Sequence, residues 1–460
     1  MKSKTIFVTV FHSFISKNFL NTKAFDILRN IPNIKYILLV PIAKVDYFRE
    51  YFHEKNIDIV GVDNVSLSKN PIITFYSRLS HLLIHSHYLW YKKVERRDMG
   101  RNMFRYLKYY GEILFTSVFG GKKVFRNIFR YFFIKKVIVN EVSKIFDKYK
   151  PDMIFSSDVF DDNDTAFSAE ARRHGIKIVG MVRSWDNCYS KGVLKIIPDI
   201  LIVNNQTLLE EAVIIHDVSK KSIRISGLPQ YDEFVNGTRS PREEFFKTIG
   251  ADMNKRLILY APAGSILSDT DIDICHILKN AITDKFIKYP VQILVRNHPH
   301  HPAFLEEFAH DKDLIVENPG KRFSGNLKEV ELTKQDAVHL GDSLYYSDIV
   351  IWTATTLGID SLIFDKPQIA IDFDGFQNKR YTRSVRRYHH EDHMKKMIAY
   401  GGIWIVENTD ELIEAINAYL DNPKIHAKER ELMFRQQIMF KDGKSGERVA
   451  GFLKESIDNL

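Results

Sequence analysis

The sequence predicts an α/β protein with two parallel β-sheets, and three observations lead to that class. Short apolar runs of strand length alternate with amphipathic helical segments from residue 4 onward, as in sheets whose parallel strands are joined by helices. The alternation breaks at 235–245 and restarts at residue 256. The chain has 460 residues, too many for one hydrophobic core, so two Rossmann-like domains are expected.

The first domain is predicted to span residues 1–238 and to receive a C-terminal helix, residues 436–460, that crosses back to it. It opens with strands at 4–10, 35–41 and 57–62 and with helices at 21–31 and 45–55. The loop after the first strand carries His12, at the carboxyl edge of the sheet. We consider His12 a candidate for binding a substrate, although a lone histidine in such a loop more often has a structural role.

Residues 88–136 form a predicted helical insertion that is both basic and aromatic. The segment contains 13 Lys and Arg against 3 acidic residues and so carries +10, whereas the whole chain carries +8. Basic amphipathic helices rich in Trp, Tyr and Phe suit the surface of an anionic membrane. Packed helices with solvated Lys and Arg faces would give the same pattern. No nucleic-acid-binding module accompanies the segment, so nucleic acid is not an expected partner.

Two acidic positions follow strands that are predicted to be neighbours. Asp158 follows the run MIF, and Asp186 follows the run IKIVGMV. Carboxylates that meet at one edge of a sheet can act as general base or nucleophile, but acidic loops are often only solvated. Beside Asp186, Trp185 offers a flat face for a sugar ring and Asn187 a further hydrogen bond.

The second domain is predicted to span residues 239–435 and to carry two polar loops at strand ends. A loop of small residues that includes Gly264 and Ser265 follows RLILYAP, and Arg296 and His298 follow VQILV. Arginine can pair with a phosphate, and histidine can donate a hydrogen bond to one or act as acid or base.

A compact βαβ unit is predicted within residues 342–374. The apolar run IVIW leads into the hydroxyl-rich turn TATT, a short helix at 358–364 and a second strand. A helix that starts at the carboxyl edge of a parallel sheet suits phosphate, and Thr355 and Thr356 would add hydroxyl donors. Asp360 is placed to accept a hydrogen bond from a ribose hydroxyl. An ordinary buried corner with threonine caps is the alternative.

Composition narrows the class and the location of the protein. Apolar content of 45% and charged content of 27% are ordinary for a globular protein, and two cysteines argue against a disulfide scaffold or a cysteine-based zinc site. The short apolar run near the start fits a first strand rather than a signal peptide, and no apolar run has the length of a membrane span. We therefore expect a cytoplasmic protein on the inner face of the membrane, with no bound metal.

The order of several motifs along the chain resembles a known family. They are SSDVFDDNDTAF, VRSWDN, SGLPQYD, VRNHP, DSLYYSDIVI and DKPQIAIDFDG, which lie between about residue 150 and residue 450. The R-x-H-P strand end and the T-x-T-T unit followed by K-P look like those of GT-B glycosyltransferases. More narrowly, the chain resembles bacterial surface-polysaccharide transferases related to CDP-glycerol glycerophosphotransferases. Residues 1–150 match only in general layout.

The resemblance implies a GT-B fold, with two Rossmann-like domains facing across a cleft and the nucleotide donor held by the second. Arg296 and His298 match the R-x-H-P element that faces donor phosphate. Thr355, Thr356 and Asp360 match the element for phosphate and ribose, where the family usually has Glu in place of Asp. The family's D-Y-S-S is replaced by T-A-T-T, which favours a sugar over a glycerol phosphate donor. Such enzymes generally need no bound metal, because helix dipoles and basic groups neutralise the leaving group.

We therefore predict a metal-independent glycosyltransferase without a bound cofactor. It would move a sugar from a nucleotide-sugar donor to a lipid-linked or growing surface polysaccharide, such as O-antigen or capsule. Asp186 or Asp158 would be general base or nucleophile, and Arg296 and His298 would stabilise the leaving group. Two alternatives stay open: a polyol-phosphate transferase of the CDP-glycerol or CDP-ribitol type, and a non-catalytic nucleotide-binding scaffold at the membrane.

Overall fold

The structure is a computed structural model that describes residues 3–100, 102–322 and 330–460. The chain folds into two compact units. The first unit comprises the residues up to Gln230 together with Lys444–Leu460, and the second comprises Tyr231–Gly443. The divisions expected from the sequence, after residues 238 and 435, both fall inside the second unit.

The first unit is built on a sheet of seven parallel strands. The strands are β1 (Lys4–Thr9), β2 (Ile34–Pro41), β3 (Ile57–Val62), β4 (Met153–Ser156), β5 (Lys177–Met181), β6 (Ile200–Val203) and β7 (Ile223–Ile225). Their order is β3-β2-β1-β4-β5-β6-β7, so the winding of the chain reverses between β1 and β4. Open α/β sheets bind ligands at such a switch point, beyond the carboxyl ends of the strands.

Helices cover both faces of this sheet. They are α1 (Lys23–Leu28), α2 (Val45–Phe52), α3 (Asn64–Ser68), α4 (Pro71–Leu82), α5 (His87–Asp98), α6 (Met103–Phe119), α7 (Lys123–Lys136), α8 (Asn140–Tyr149), α9 (Asp162–Arg173), α10 (Asn187–Ser190) and α11 (Gln206–His216). The helix expected at 21–31 is instead a π-helical turn at Ser16–Leu20 followed by α1. The helix restarts there because the Thr22 side chain accepts a hydrogen bond from the N–H of Ala24.

The basic insertion is helical, as predicted, but its cations have two different environments. Arg126 and Arg130 of α7 are buried and pair with Asp217 at 2.7 and 3.0 Å, which fastens α7 to the end of α11. In contrast, Thr116 is the one residue of α6 that is buried. Arg101, which contributes to the +10 charge, lies outside the described residues. The charge count therefore overstates the basic surface, and most residues of α6 are exposed.

The second unit has a sheet of six parallel strands. They are β8 (Arg256–Ala261), β9 (Val291–Arg296) and β10 (Leu314–Glu317), then, after the antiparallel pair β11 (Lys321–Arg322) and β12 (Val330–Glu331), β13 (Ile349–Trp352), β14 (Gln368–Ile371) and β15 (Trp404–Val406). The order β10-β9-β8-β13-β14-β15 places the switch point between β8 and β13. The TATT turn that follows β13 is thus at the switch point of its sheet.

The remaining helices complete the two units. They are α12 (Gln230–Asn236), α13 (Arg242–Ile249), α14 (Asp271–Thr283), α15 (Lys334–Tyr346), α16 (Leu357–Asp360), α17 (Arg386–His389), α18 (Asp392–Ile398), α19 (Thr409–Asp421), α20 (Ala427–Gln437) and α21 (Ser445–Asp458). The helix predicted at 358–364 is a single α-turn, α16, continued by a 3₁₀ segment, Ser361–Phe364. The last helix, α21, returns to the first unit, where Lys4 and Lys177 donate to its carbonyls of Ile457 and Ser456.

Candidate functional site

The carboxyl ends of β1 and β4 are joined by a buried polar network. Ser157 donates its backbone N–H to the Thr9 hydroxyl at 3.0 Å and its own hydroxyl to the Thr9 carbonyl at 2.6 Å. Asp164 accepts from Thr9 and, at 3.1 Å, from the N–H of Asp158. Burial, reinforced by Asp161 and Asp158, raises the pKa of the Asp164 carboxyl. This network holds the two loops at the switch point in fixed positions.

A cavity of about 470 Å³ opens at this switch point, within the range of small-molecule sites. His12 and Asp158, both predicted from the sequence, are among its lining residues. The carboxylate of Asp158 accepts from the Arg183 guanidinium at 2.6 Å, and both side chains are buried. Burial alone would lower the pKa of Arg183, but Asp158 and, further away, Asp186 raise it. Asp158 is thus a paired carboxylate on the cavity wall.

Asp186, Trp185 and Asn187 do not line the cavity. The cavity is lined by Arg183 and by Ser190 and Lys191, but not by the residues between them, all of which are described. Asp186 accepts from the hydroxyls of Ser184 at 2.5 Å and Ser190 at 2.7 Å. Its carboxylate therefore connects the loop before α10 to the last residue of that helix. Asn187 accepts from the N–H of Ser184 at 3.1 Å. Asp186 and Asn187 therefore shape the loop from which Ser190 reaches the cavity.

In the second unit, the loop after β8 is filled by a carboxylate of the protein itself. Asp271 accepts from the N–H groups of Ala263 and Gly264 at 3.0 and 2.9 Å and from the Tyr260 hydroxyl at 2.9 Å. Burial raises the pKa of Asp271 to about 6 against the effect of these hydrogen bonds. Ser265 donates its N–H to the carbonyl of His301. The backbone donors expected to hold phosphate at Gly264 and Ser265 are therefore already used.

Gly264 also brings this loop close to the loop that follows β9. Its φ of 85° is left-handed, and a Cβ at this position would be 2.2 Å from the carbonyl oxygen of His301. Within the second loop, His298 accepts the N–H groups of His300 and His301 at its Nδ1, both at 3.2 Å. An accepting Nδ1 leaves the proton of a neutral imidazole on Nε2. His298 is thereby oriented as an Nε2–H donor.

Arg296 has a partner of its own inside the unit. Its guanidinium donates to Glu317 of β10 at 2.5 Å, and Glu317 also contacts His339 at 2.6 Å. Burial acts against ionisation of Glu317, yet Arg296 and His339 outweigh it and lower the pKa of Glu317. Arg296 is itself buried. These contacts favour a structural role for Arg296, and the predicted contact with donor phosphate stays a prediction.

The TATT turn presents open backbone donors. Thr353 donates to Ala261 of β8 at 3.0 Å, and Ala354 follows with a left-handed φ of 50°. Within the described residues, the N–H groups of Ala354, Thr355 and Thr356 have no hydrogen-bond acceptor in the protein. Successive free N–H groups around a left-handed residue form a concavity suited to an anion. Thr355 and Thr356, predicted as phosphate-binding residues, thus lie in the turn with free donors.

Asp360, the predicted ribose contact, is buried at the end of α16. One of its carboxylate oxygens accepts from the Tyr231 hydroxyl at 2.8 Å.

In the described parts of the chain, no three His, Cys, Asp or Glu residues are grouped so that they could hold a metal ion. The same residues include no helix that is long and apolar enough to cross a membrane.

Comparison with solved structures identifies the fold as that of the GT-B class. The chain is similar to the wall teichoic acid polymerase TagF, with 12% identity, a TM-score of 0.52 and coverage of 99% of this chain and 90% of that one. It is also similar to S. aureus MnaA bound to UDP, with 11% identity, a TM-score of 0.57 and coverage of 99% and 98%. A third similar structure is the UDP-GlcNAc 2-epimerase of Methanocaldococcus jannaschii, with 11% identity, a TM-score of 0.53 and coverage of 99% and 100%.

Sequence comparison then gives the family. The profile described as CDP-Glycerol:Poly(glycerophosphate) glycerophosphotransferase matches residues 195–455. The chain belongs to this family and is therefore a transferase. Comparison with curated protein sequences gave no match.

Proposed function

We propose that the protein transfers a polyol phosphate from a cytidine-diphosphate-linked donor to a hydroxyl of a lipid-linked or growing surface polymer. The observation that carries this proposal is the family match, which extends from residue 195 to residue 455 and so includes all of the second unit. This differs from the sugar donor favoured by the sequence, because the family is described by transfer of glycerol phosphate.

The proposed reaction is a displacement at phosphorus. The acceptor hydroxyl oxygen bonds to the β-phosphorus of the donor, and the bond from that phosphorus to the bridging oxygen breaks. Cytidine monophosphate leaves with the electron pair of the broken bond, and the hydroxyl proton passes to a base. Such reactions depend chiefly on positioning and on stabilising charge on the phosphate oxygens.

On the donor side, the open N–H groups at Ala354, Thr355 and Thr356 support binding of the donor phosphates. The Nε2–H of His298 supports a role as donor to the leaving phosphate. A phosphate at Gly264 or Ser265 would instead depend on the exposed Ser265 hydroxyl, since the N–H groups of that loop are occupied. For the buried Asp360, we still propose a contact with the ribose of the donor.

On the acceptor side, we propose Asp158 or Asp186 as the base. Asp158 lines the cavity directly, while Asp186 does not line it and accepts from the hydroxyl of Ser190, which does. His12 would contact the acceptor, because it also lines the cavity, and Trp185 and Asn187 would act from the adjoining loop.

A sugar donor is the second candidate, and the turn at 353–356 is the observation that favours it. This chain has T-A-T-T where the family usually has D-Y-S-S, so the turn proposed to bind the donor differs from that of the family. Glycosyl transfer from a sugar diphosphonucleotide would break the bond at the anomeric carbon and release a nucleoside diphosphate. The two reactions therefore differ in both products.

Product analysis distinguishes the two candidates. The full-length protein is incubated with CDP-glycerol, CDP-ribitol or a panel of UDP- and GDP-sugars and with a lipid-linked acceptor. Polyol-phosphate transfer yields cytidine monophosphate and a ³¹P signal of a new phosphodiester, and we expect this outcome. Release of a nucleoside diphosphate with an unphosphorylated glycosidic product would instead support glycosyl transfer, the second candidate. The absence of turnover with any donor would contradict both candidates. Parallel reactions with EDTA test the predicted independence from metal.

We also propose that α6 brings the protein to an anionic membrane, as a peripheral protein of the inner face. Met103, Leu107, Tyr110 and Leu114 recur at intervals of three or four residues, and Leu107 and Leu114 are 66% and 65% exposed. Basic side chains accompany this apolar stripe on the same helix and on its flanks. An apolar stripe with neighbouring cations is the pattern of a helix that lies in the membrane interface.

Vesicle sedimentation tests the membrane proposal. We expect binding to vesicles that contain phosphatidylglycerol and a steep decrease of this binding with salt, since each basic residue near such a surface contributes about 1 kcal/mol. We also expect loss of binding in Leu107→Glu/Leu114→Glu, because the apolar stripe is then interrupted by charge. Ile214→Glu, at an exposed apolar residue of α11, is the matched control and should bind like the wild type. Equal binding to neutral vesicles would contradict the proposal.

A further inference from the structure

The wall of the cavity in the first unit has more cations than its carboxylates can match. Four of the cations have acidic partners between 2.6 and 3.0 Å away: Arg183 with Asp158, Lys195 with Asp162, Lys92 with Glu95 and Arg96 with Glu112. Lys93 and Lys191 also line the cavity, and neither has a carboxylate partner among the described residues. The wall therefore carries two ammonium groups that form no ion pair with a carboxylate of the described residues.

Lys93 is the more unusual of the two, because it is only 3% exposed. Its Nζ donates to the hydroxyl of Thr116 at 2.7 Å, a neutral partner. Burial lowers the pKa of Lys93, although Glu112 acts in the opposite direction. A buried ammonium group without a carboxylate is costly unless an anion reaches it.

Lys191 is held at the cavity by a turn that only glycine allows. Gly192 has a φ of 77°, and a Cβ there would be 2.7 Å from the ring of His81 and 2.5 Å from the hydroxyl of Ser80. Val193 then donates its N–H to the carbonyl of Ser80 at 3.1 Å. Burial, with a contribution from Lys195, lowers the pKa of His81 to about 4, so His81 is a neutral member of the wall at pH 7.

The third carboxylate of the cavity, Asp161, makes its hydrogen bonds to the start of α9. Asp161 accepts from the N–H groups of Asn163 and Asp164 and so caps α9. Burial, together with Asp158 and Asp162, raises the pKa of Asp161. The cavity thus combines unmatched cations with several hydroxyl and imidazole donors, which together suit a group with many oxygen acceptors on one centre.

A second concavity connects this cavity to α6. A groove of about 360 Å³ between α5 and α6 is lined by Lys93 and Arg96, which also line the cavity. Its other lining residues include the cations Arg97, Arg105 and Lys108 and the exposed apolar side chains Met99 and Phe104. A continuous basic path therefore leads from the apolar surface of α6 to the carboxyl edge of the sheet.

We propose that this cavity and groove bind the phosphate groups of a lipid-linked acceptor, with Lys93 and Lys191 as the principal cations and the lipid chain toward α6. The inference rests on the proposed function for the identity of the acceptor. It adds the place and the chemistry of acceptor binding: a phosphate or diphosphate ester joined to an apolar chain.

Equilibrium binding to the full-length protein tests the inference without any transfer reaction. The probes are geranyl diphosphate, inorganic pyrophosphate and CDP, titrated calorimetrically into the wild type, Lys93→Gln, Lys191→Ala and the double variant. Each substitution should lower the affinity for geranyl diphosphate about tenfold, as expected for loss of one charge-assisted contact. The affinity for CDP should be unchanged. Lys220→Ala, at an exposed lysine without an acidic partner among the described residues, is the control. Lys191 is exposed, so Lys191→Ala alone carries the test if Lys93→Gln lowers the Tm.

Several outcomes would overturn the inference. Unchanged geranyl diphosphate affinity in Lys191→Ala and the double variant would show that the cavity is not the site. Equal affinity for pyrophosphate and geranyl diphosphate would make it a site for free phosphate, and parallel loss of CDP would make it a nucleotide site. Normal lipid-phosphate binding without transfer from any donor would contradict the proposed function alone.

Discussion

The two units carry loops at equivalent places in their sheets, but they treat charge in opposite ways. At the β1–β4 switch point, the cavity keeps Lys93 and Lys191 without carboxylate partners in the described chain. At the β8–β13 switch point, Asp271 fills the donors of one loop and leaves those of the TATT turn open. The first unit thus offers side-chain cations to an anion, and the second offers backbone N–H groups from one selected turn.

This difference shows that topology places a site without defining its chemistry. Both switch points lie beyond the carboxyl ends of parallel strands, where ligands bind in open α/β sheets. Which donors remain available depends on single residues such as Asp271. Its carboxylate accepts from two backbone N–H groups that could otherwise donate to a phosphate.

The largest expected effect separates the two candidate bases of the first unit. We expect Asp158→Asn to lower turnover by roughly 10²- to 10⁴-fold, as for loss of a general base, because Asp158 lines the cavity. Asp186→Asn should cost less, since Asp186 contacts Ser184 and Ser190 instead. Steady-state assays of both variants are compared with Asp46→Asn, an exposed control.

Tm and CDP affinity of the same proteins show whether the fold is retained. The opposite ranking would make Asp186 the base. Turnover within a few-fold of the wild type in both variants would exclude either carboxylate from proton transfer.

A second test concerns stability in the second unit. Arg296→Ala leaves the partly buried Glu317 with His339 as its remaining partner, and removing one member of a buried ion pair typically costs about 3–5 kcal/mol. We therefore expect a large decrease in Tm, with no comparable decrease in Arg322→Ala, an exposed arginine of β11. An unchanged Tm with weakened CDP binding would instead support the donor contact predicted from the sequence.

A third test probes the donor loops of the second unit. His298→Asn places an amide oxygen near the position of Nδ1, so the N–H groups of His300 and His301 keep an acceptor while Nε2–H is lost. Loss of a hydrogen bond to a charged phosphate should cost about 1.5–3 kcal/mol of transition-state stabilisation. Measured kcat/KM should fall accordingly, whereas His300→Asn should remain near the wild type. Equal effects of the two substitutions would remove the special role of His298.

The smallest expected effect is the pH dependence of stability due to Asp271. Its pKa is raised from an ordinary value of 3.8 to about 6, so the folded state binds more protons than the unfolded state between these values. The contribution of Asp271 to stability is therefore present below pH 3.8 and lost as the pH rises through about 6. The Tm difference between the wild type and Asp271→Asn should change within that window. A constant difference would contradict the raised pKa.

Much of the fold could be predicted from the sequence, because strand length and apolar patterning are local properties. The strand at Ile57–Val62 has its expected bounds, and the first strand, expected at 4–10, forms at Lys4–Thr9. The helix expected at 45–55 ends at Phe52, since His53 takes an extended conformation with φ −72° and ψ 121°. Helix ends depend on such single residues, which apolar periodicity does not register.

The candidate sites were predictable in position but only partly in their residues. His12, Asp158 and Thr356 were found because loops after apolar strands are visible in the sequence. Asp271 was missed, because an acid at the start of a helix looks like an ordinary first-turn residue. Lys93 was counted in the basic segment, but its burial beside Thr116 depends on how α5 and α6 pack.

The return of α21 to the first unit has a consequence for the order of events during synthesis. Residues 231–443 emerge from the ribosome before Lys444–Leu460, so the inserted second unit has its whole sequence available first. The first unit must wait for Val449 and Leu453, which are buried when α21 packs against α1. Proteins usually complete their domains from the N-terminus onward, but here the later-encoded unit can be finished while the earlier one still lacks a helix.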